Sequence, residues 1–312
     1  MSNRRLPSDT GARPDNDRVP GVLSYFKAAA PACSVIFDSP HSGAEYPEDF
    51  DYIVPFERIR RAEDMFVDEL FAAAPEHGAD LIAALFPRSY VDVNRAIDDL
   101  DPALLSSRWP GQLGAGEKAR LGHGLVWRLC PPDIDIYAGK LSPDDVRHRI
   151  ERYWRPYHDR LRQSIDALHR QFGAVWHVNC HSMPSGTKGY FLNGAGPVDF
   201  VLGDRDGTTC SAEFLDVVGE TLRQMGYTVK VNDPYKGVEL VRAYSDPPAG
   251  RHSLQIEINR ALYMDEVSFE RLAGFDPLKR NIDRLIGTIC EFARDRVRAG
   301  TNPLPARVQT AP

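Results

Sequence analysis

The chain has 312 residues, with 38 Lys and Arg against 44 Asp and Glu for a formal net charge of -6, an apolar fraction of 42% and five cysteines. At that length a chain buries roughly three quarters of its unfolded surface, so bulk stability needs neither disulfide nor structural metal. Mild acidity without long Lys/Arg runs argues against a nucleic-acid surface, and apolar stretches far short of the roughly 20 residues of a bilayer span argue against a membrane protein.

Residues 1–20 mix Arg, Asp, Asn, Pro and Gly without periodicity, which predicts a flexible segment; without the apolar core of a secretory signal they point to the cytoplasm. Cys33, Cys130, Cys180, Cys210 and Cys290 are odd in number and contain no CxxC pair, as expected of buried thiols. The first predicted strand, CSVIFD (33–38), runs into the turn SPHSG, where His41 suits a metal ligand; a lone loop histidine equally fits a simple hydrogen bond. A helix is predicted over 57–74, with Ile59, Phe66 and Leu70 on its apolar side. On it Asp64 and Asp68 stand four apart among Met65, Phe66, Val67 and Phe71. That setting puts Asp64 ahead of Glu45, which precedes a loop proline, as a carboxylate ligand. Strands are predicted at ADLIAA (79–84) and SYVDVN (89–94). The second ends on Asn94-Arg95, whose guanidinium can fork two bonds onto a carboxylate ligand or pair with Asp92 or Asp98.

Ser142-Pro143-Asp144-Asp145 caps a long amphipathic helix through Val146, Ile150, Tyr153, Tyr157, Leu161, Ile165 and Leu168, with a kink or break expected at Pro156. In AVWHVNC (174–180) and the residue after it, alternation puts His177, Asn179 and His181 on one face. His177 reads as a core histidine, and His181, at the strand end, as the better ligand. Strands at DFVLG (199–203), YTVKV (227–231) and SLQIEI (253–258) alternate with helices over 209–225 and 277–298. The loop Gly203-Asp204-Arg205-Asp206-Gly207 lacks the Lys-Ser/Thr of a nucleotide loop. In the last strand Gln255, Glu257 and Asn259 oppose Leu254, Ile256 and Ile258. A carboxylate buried mid-strand is costly without a partner or a task, so Glu257 reads as a general base, with an ion pair to Arg260 or Arg95 as the structural alternative. The alternation implies one α/β domain over 21–299, with helices on both sheet faces and sites at the carboxyl ends of strands, followed by a flexible tail over 300–312.

Taken in order, SPHSGAEYP, EDMFVDELF, YVDVNR, HGLVWR, RYWRPYH, NCHSMPS, DFVLGDRDGTTC, NDPYKG and QIEINRALYMDE resemble the N-formylglutamate amidohydrolase (deformylase) family over most of 35–266. The resemblance implies a zinc-carboxypeptidase-like fold, a mixed, largely parallel central sheet with helices on both faces. It implies a divalent ion, zinc before others, held by His41, Asp64 and His181, with Glu257 as base and then acid. Asn94 and Arg95 would hold one carboxylate of a small anionic substrate and Arg242 the other. The products would be formate and L-glutamate, as in histidine degradation; a broader N-acyl amino acid amidohydrolase or a carboxypeptidase-like peptide hydrolase is the alternative. Carboxypeptidases carry a Glu three residues after the first ligand His, where Ala44 stands here, so the carboxylate must come from elsewhere. His158, one turn after Trp154, fits either the site or plain packing. A homo-oligomer is compatible with the sequence.

Overall fold

The computed structural model describes residues 17–29, 32–114, 116–186 and 198–301. The strands are β1 (Asp17–Val19), β2 (Leu23–Phe26), β3 (Val35–Ser39), β4 (Asp80–Ala84), β5 (Leu129–Cys130), β6 (Ile134–Asp135), β7 (Val175–Met183), β8 (Phe200–Gly203), β9 (Val229–Val231) and β10 (Arg251–Asn259). The helices are α1 (Phe56–Arg60), α2 (Val67–Leu70), α3 (Glu117–Arg120), α4 (Pro143–Arg149), α5 (Arg155–Phe172), α6 (Ala212–Gln224), α7 (Glu239–Ala243) and α8 (Phe275–Thr301). Eight strands form one sheet in the order β1-β2-β4-β3-β7-β10-β8-β9, and β5 and β6 form a separate pair. The centre is parallel, β4-β3-β7-β10, while β8 joins β10 and β2 joins β4 in antiparallel fashion, so the sheet is mixed.

Period two sorts the central strands into two unlike faces. Val35 and Phe37 of β3, Trp176, Val178 and Cys180 of β7, and Leu254, Ile256 and Ile258 of β10 share one apolar cluster with Phe214, Val218 and Leu222 of α6 and Ile282, Leu285 and Ile289 of α8. Each such side chain contributes about 1.5–3 kcal/mol by leaving water. The opposite face carries Asp38, His177, Asn179, His181, Gln255 and Glu257, all buried. Burying such groups is tolerable only where they bond one another. Asp38 does this at one end: it accepts from His177 Nε2 (2.8 Å), Asn179 Nδ2 (2.8 Å) and, from α5 above, Tyr157 Oη (2.7 Å).

Four expectations are corrected. Asp17–Val19 is an edge strand paired with β2, so order begins inside the segment expected to be flexible; residues 1–16 lie outside the described residues. Likewise α8 runs on to Thr301, past the boundary expected at 299, and 302–312 lie outside the described residues. The helix expected over 57–74 is instead α1, a turn and α2, because Phe66 adopts a left-handed backbone (φ 66°) that no α-helix can continue through. The strand expected over 89–94 is a buried irregular segment. Its backbone bonds are made locally and to a distant loop, Tyr90 N to Pro87 O and Asp92 N to Leu125 O, rather than to a sheet neighbour. At Pro156 the chain neither breaks nor stays regular: a π-helical turn, Ile150–Trp154, joins α4 to α5 and absorbs the missing N–H. The α4 start is as read, with Ser142 and Asp145 exchanging the reciprocal bonds of a capping box.

Candidate metal centre and active site

His41 follows β3 in the turn SPHSG. Gly43 is required there, since a Cβ would lie 2.4 Å from the backbone of Leu85 and Phe86. The His41 carbonyl accepts from Asp64 N (2.9 Å), which brings the break between α1 and α2 against this turn. The parallel register of β7 and β10 sets His181 opposite Glu257. Four segments distant in sequence thus meet at the carboxyl ends of β3 and β7.

His41, Asp64 and His181 are buried, and one potential ligand atom of each lies within 4.8 Å of the others. His41 Nε2 meets Asp92 Oδ1 at 2.8 Å, and His181 Nε2 meets Asn179 Oδ1 at 2.7 Å. Asp92 can only accept, so the proton of His41 sits on Nε2 and its Nδ1 is a lone pair. His181 has two settings, since Nε2 can donate to Asn179 Oδ1 or accept from Asn94 Nδ2 (3.2 Å), and in the second its Nδ1 donates to Asp64 Oδ2. The two Nδ1 atoms lie 3.4 Å and 3.0 Å from the same Asp64 oxygen, Oδ2. His41 Nδ1 has no hydrogen-bond partner among the described residues, and a cation between the three would take the place of the proton that His181 shares with Asp64. Three electron-pair donors aimed at one point are complementary to a cation, and two imidazoles with a carboxylate suit a divalent transition metal of the zinc kind. The residues therefore fit such an ion.

The electrostatics agree. Burial pushes the Asp64 carboxyl up, but its bonds and charges toward His181 and His41 outweigh this and hold it well below the usual range. Glu257 is raised well above its ordinary value, first by burial and then by the Asp64 charge, against the pull of Arg88 and Arg260. Its Oε1 accepts from the Gln255 amide, Nε2, at 2.9 Å, and it forms no ion pair among the described residues. The ion pair weighed for Glu257 is not formed: Arg260 binds Asp64 Oδ1 (3.0 Å), Ser182 Oγ and the carbonyls of Arg61 and Glu63. Glu257 thus has the environment of a base.

The remaining candidates divide. A cavity of about 1190 Å³ is lined by His41, Asp64, Asn94, Arg95, His181 and Glu257 among others, but not by Arg242, which is more than half exposed and paired with Glu239 (2.8 Å). Arg95 is buried and forms no ion pair with Asp92 or Asp98; Nε donates to His123 O (3.0 Å) and Nη1 to Asn94 O (2.9 Å). Asn94 also braces the wall, its Oδ1 accepting from Leu240 N (2.9 Å). Glu45 is exposed and paired with Arg18, away from the two histidines. His177 is satisfied on both nitrogens, by Asp38 and Ser253. His158 stacks on Trp154 at 3.7 Å and bonds Val93 O and Tyr244 Oη, a packing role beneath the cavity wall. Asp92, which orients His41, and Arg88 and Arg260, which line the cavity, were not singled out for these places by the sequence. For Arg88 a signal existed, its spacing of four from Asp92, with which it pairs at 2.9 Å.

A family model described as N-formylglutamate amidohydrolase matches residues 33–264. A curated N-formylglutamate deformylase of Pseudomonas putida is 28% identical over 251 residues, 78% of this chain and 86% of that protein. Another, from Pseudomonas aeruginosa, is 27% identical over 285 residues, 88% of this chain and 98% of that one. Among solved structures, N-formylglutamate amidohydrolase from Ralstonia eutropha JMP134 superposes with a TM-score of 0.86 at 46% identity, covering 88% of this chain and 99% of that one. The gene product Atu2144 of Agrobacterium tumefaciens, at 19% identity and a TM-score of 0.63 over 88% of this chain and 96% of its own, shares the fold.

Proposed function

The chain belongs to the N-formylglutamate amidohydrolase family, and from that premise we propose that it hydrolyses N-formyl-L-glutamate to formate and L-glutamate in the cavity bounded by His41, Asp64, His181 and Glu257. The observation that carries the reading is the convergence of Nδ1 of His41, Nδ1 of His181 and the Asp64 oxygen beside a buried Glu257 that forms no ion pair among the described residues. His41, Asp64 and His181 would hold the ion, for which zinc is our choice. When bound, a divalent ion supplies Lewis-acid polarisation of the formyl carbonyl and makes a water molecule acidic. Glu257 takes a proton from the attacking water as its oxygen bonds the formyl carbon, then delivers that proton to the nitrogen as the C–N bond breaks. Asn94 and Arg95 lie where they can position a substrate carboxylate, Arg95 offering the guanidinium edge not used by its two carbonyl partners.

The metabolic setting we favour is a terminal, glutamate-releasing step of histidine degradation, in the cytoplasm; a homo-oligomer fits this reading as well as a monomer does. One observation favours a wider substrate range: at about 1190 Å³ the cavity exceeds the roughly 300–1,000 Å³ usual for drug-sized ligands, far more than N-formylglutamate fills. Glu257→Gln tests the mechanism. Glutamine keeps the shape of Glu257 and removes the proton acceptor, so the variant should melt with the parent while formate release falls by about 10²–10⁴-fold. Near-parental turnover in a folded, metal-loaded variant would overturn the assignment.

A further inference from the structure

Residues 116–128 give Glu117, Lys118, His123 and Trp127 to the cavity lining, and this loop is fastened to the segment that carries Arg95. Gly116 N donates to Asp99 Oδ1 (2.8 Å), Leu125 N to Asp99 O (2.6 Å) and Asp92 N to Leu125 O (2.7 Å), and Arg128 Nε binds Asp101 Oδ2 (2.6 Å). At Gly124 the approach is so close that a Cβ would lie 2.4 Å from Asp99 O. A loop held at this many points presents its side chains rigidly.

Two of those side chains, Lys118 and His123, line the cavity with Arg95. Arg88, beside them, is neutralised by Asp92. Lys118 forms no ion pair among the described residues, and Arg95 meets only neutral carbonyls. The His123 ring leans on Trp127 at 4.7 Å, and its Nε2 is buried without a hydrogen-bond partner. Burial, with Lys118, Arg88 and Arg95 nearby, pushes the His123 pKa down to about 4, so the ring is a neutral donor at physiological pH. Glu117 also lines the cavity but pairs with none of these groups. A guanidinium, an ammonium and an orphaned imidazole nitrogen on one wall lack a single thing, an anion.

Resting on the amide-hydrolase reading above, we infer that Lys118 and His123 form the subsite for the side-chain carboxylate of the substrate, beside the carboxylate held at Arg95. Lys118 supplies the opposite charge and His123 Nε2–H a hydrogen bond, and together they select N-formyl amino acids with an acidic side chain. The group assigned to this task from sequence, Arg242, does not line the cavity. A neutral side chain such as glutamine's offers Lys118, exposed on the loop, no opposite charge, and the preference for the acid is the difference.

The test is the preference of the zinc-loaded enzyme for N-formyl-L-glutamate over N-formyl-L-glutamine, as a ratio of kcat/KM values, in the parent, Lys118→Met, Lys118→Arg and His123→Gln. The preference should fall about 100-fold in Lys118→Met and about tenfold in His123→Gln, and return in large part in Lys118→Arg. Equal losses on both substrates, or an unchanged ratio, would overturn the inference. Calorimetric binding of L-glutamate against L-glutamine to the same proteins reads the subsite without turnover. A parent that binds glutamate selectively, with selectivity lost in Lys118→Met, upholds the subsite even where no formate is released, a result that would count against the hydrolase reading alone. A parent that binds the two equally removes the subsite.

Discussion

His41 and His181 acquire their chemical meaning from what touches their far nitrogens. Asp92 accepts from His41 Nε2, from Asn94 N (2.9 Å) and from Arg88 (2.9 Å), a set of donors that, against the cost of burial, holds its carboxyl well below the usual range. Such a fixed carboxylate locks the tautomer of His41 and strengthens its Nδ1 as a donor. Replacing Asp92 by Asn should therefore weaken metal binding about 10–100-fold although Asp92 is not itself a ligand. His41→Ala and His181→Ala should go further and leave the purified protein with little bound metal, as read by metal analysis after dialysis against a weak chelator. Full metal content in both would dismiss the site. In the parent, saturation with zinc to about 100 times its dissociation constant should raise stability by about 2.7 kcal/mol.

At the scale of elements, the strands β3, β4, β7, β8, β9 and β10 were legible, while the short strands β1, β2, β5 and β6 and most connections were not. Alternation named both faces of β7 and β10 correctly, because one face is uniformly apolar and leaves a clean period of two, and so His181 and Glu257 could be set on the polar face without a structure. The helix over 57–74 was misread since nothing in DMFVDEL announces that Phe66 turns left-handed, yet this turn is what carries Asp64 to His41. In 89–95 Tyr and Val imitate a strand, while the bonds that hold the segment come from loop 116–128 and from α5, far away in sequence. His158 is one of those holds, donating from α5 to Val93 O at 2.8 Å. Burial, with a smaller contribution from Arg162, pushes its pKa down to about 4. A histidine depressed in the folded state is neutral there while its unfolded counterpart, near 6.5, takes up a proton, so its contribution to stability is intact above about pH 6.5 and is lost as pH falls toward 4. From pH 7 to pH 5 the parent should lose about 2 kcal/mol through this group. His158→Gln, less stable at pH 7, should close most of that gap at pH 5, as measured by urea unfolding at each pH. A gap independent of pH would remove His158 as the cause.

For the molecule as a whole, the charge of -6 opposes an anionic substrate, and the cavity answers with local cations. Arg58 and Arg61 stand exposed on α1 and the turn after it, line the cavity and form no ion pair among the described residues. We expect kcat/KM for the dianionic substrate to fall severalfold as ionic strength rises from about 10 mM, where fields reach about 30 Å, to about 0.15 M, where they reach about 8 Å. Arg58→Glu combined with Arg61→Glu should flatten that dependence in initial-rate measurements, and an unaltered slope would assign the steering to other groups.

The pairing of His181 with Glu257 across β7 and β10 has a consequence for how the protein fails. Each belongs to a nine-residue strand in the middle of the sheet, among the amides that open last, with the whole fold, and not with a loop or a terminus. A slip of one residue in that pairing would turn Ile256 or Ile258 toward the histidine and the carboxylate toward the apolar helices. Loss of metal binding through His41 or Asp64, which stand on turns, can therefore precede unfolding, whereas His181 and Glu257 stay in line as long as the sheet does.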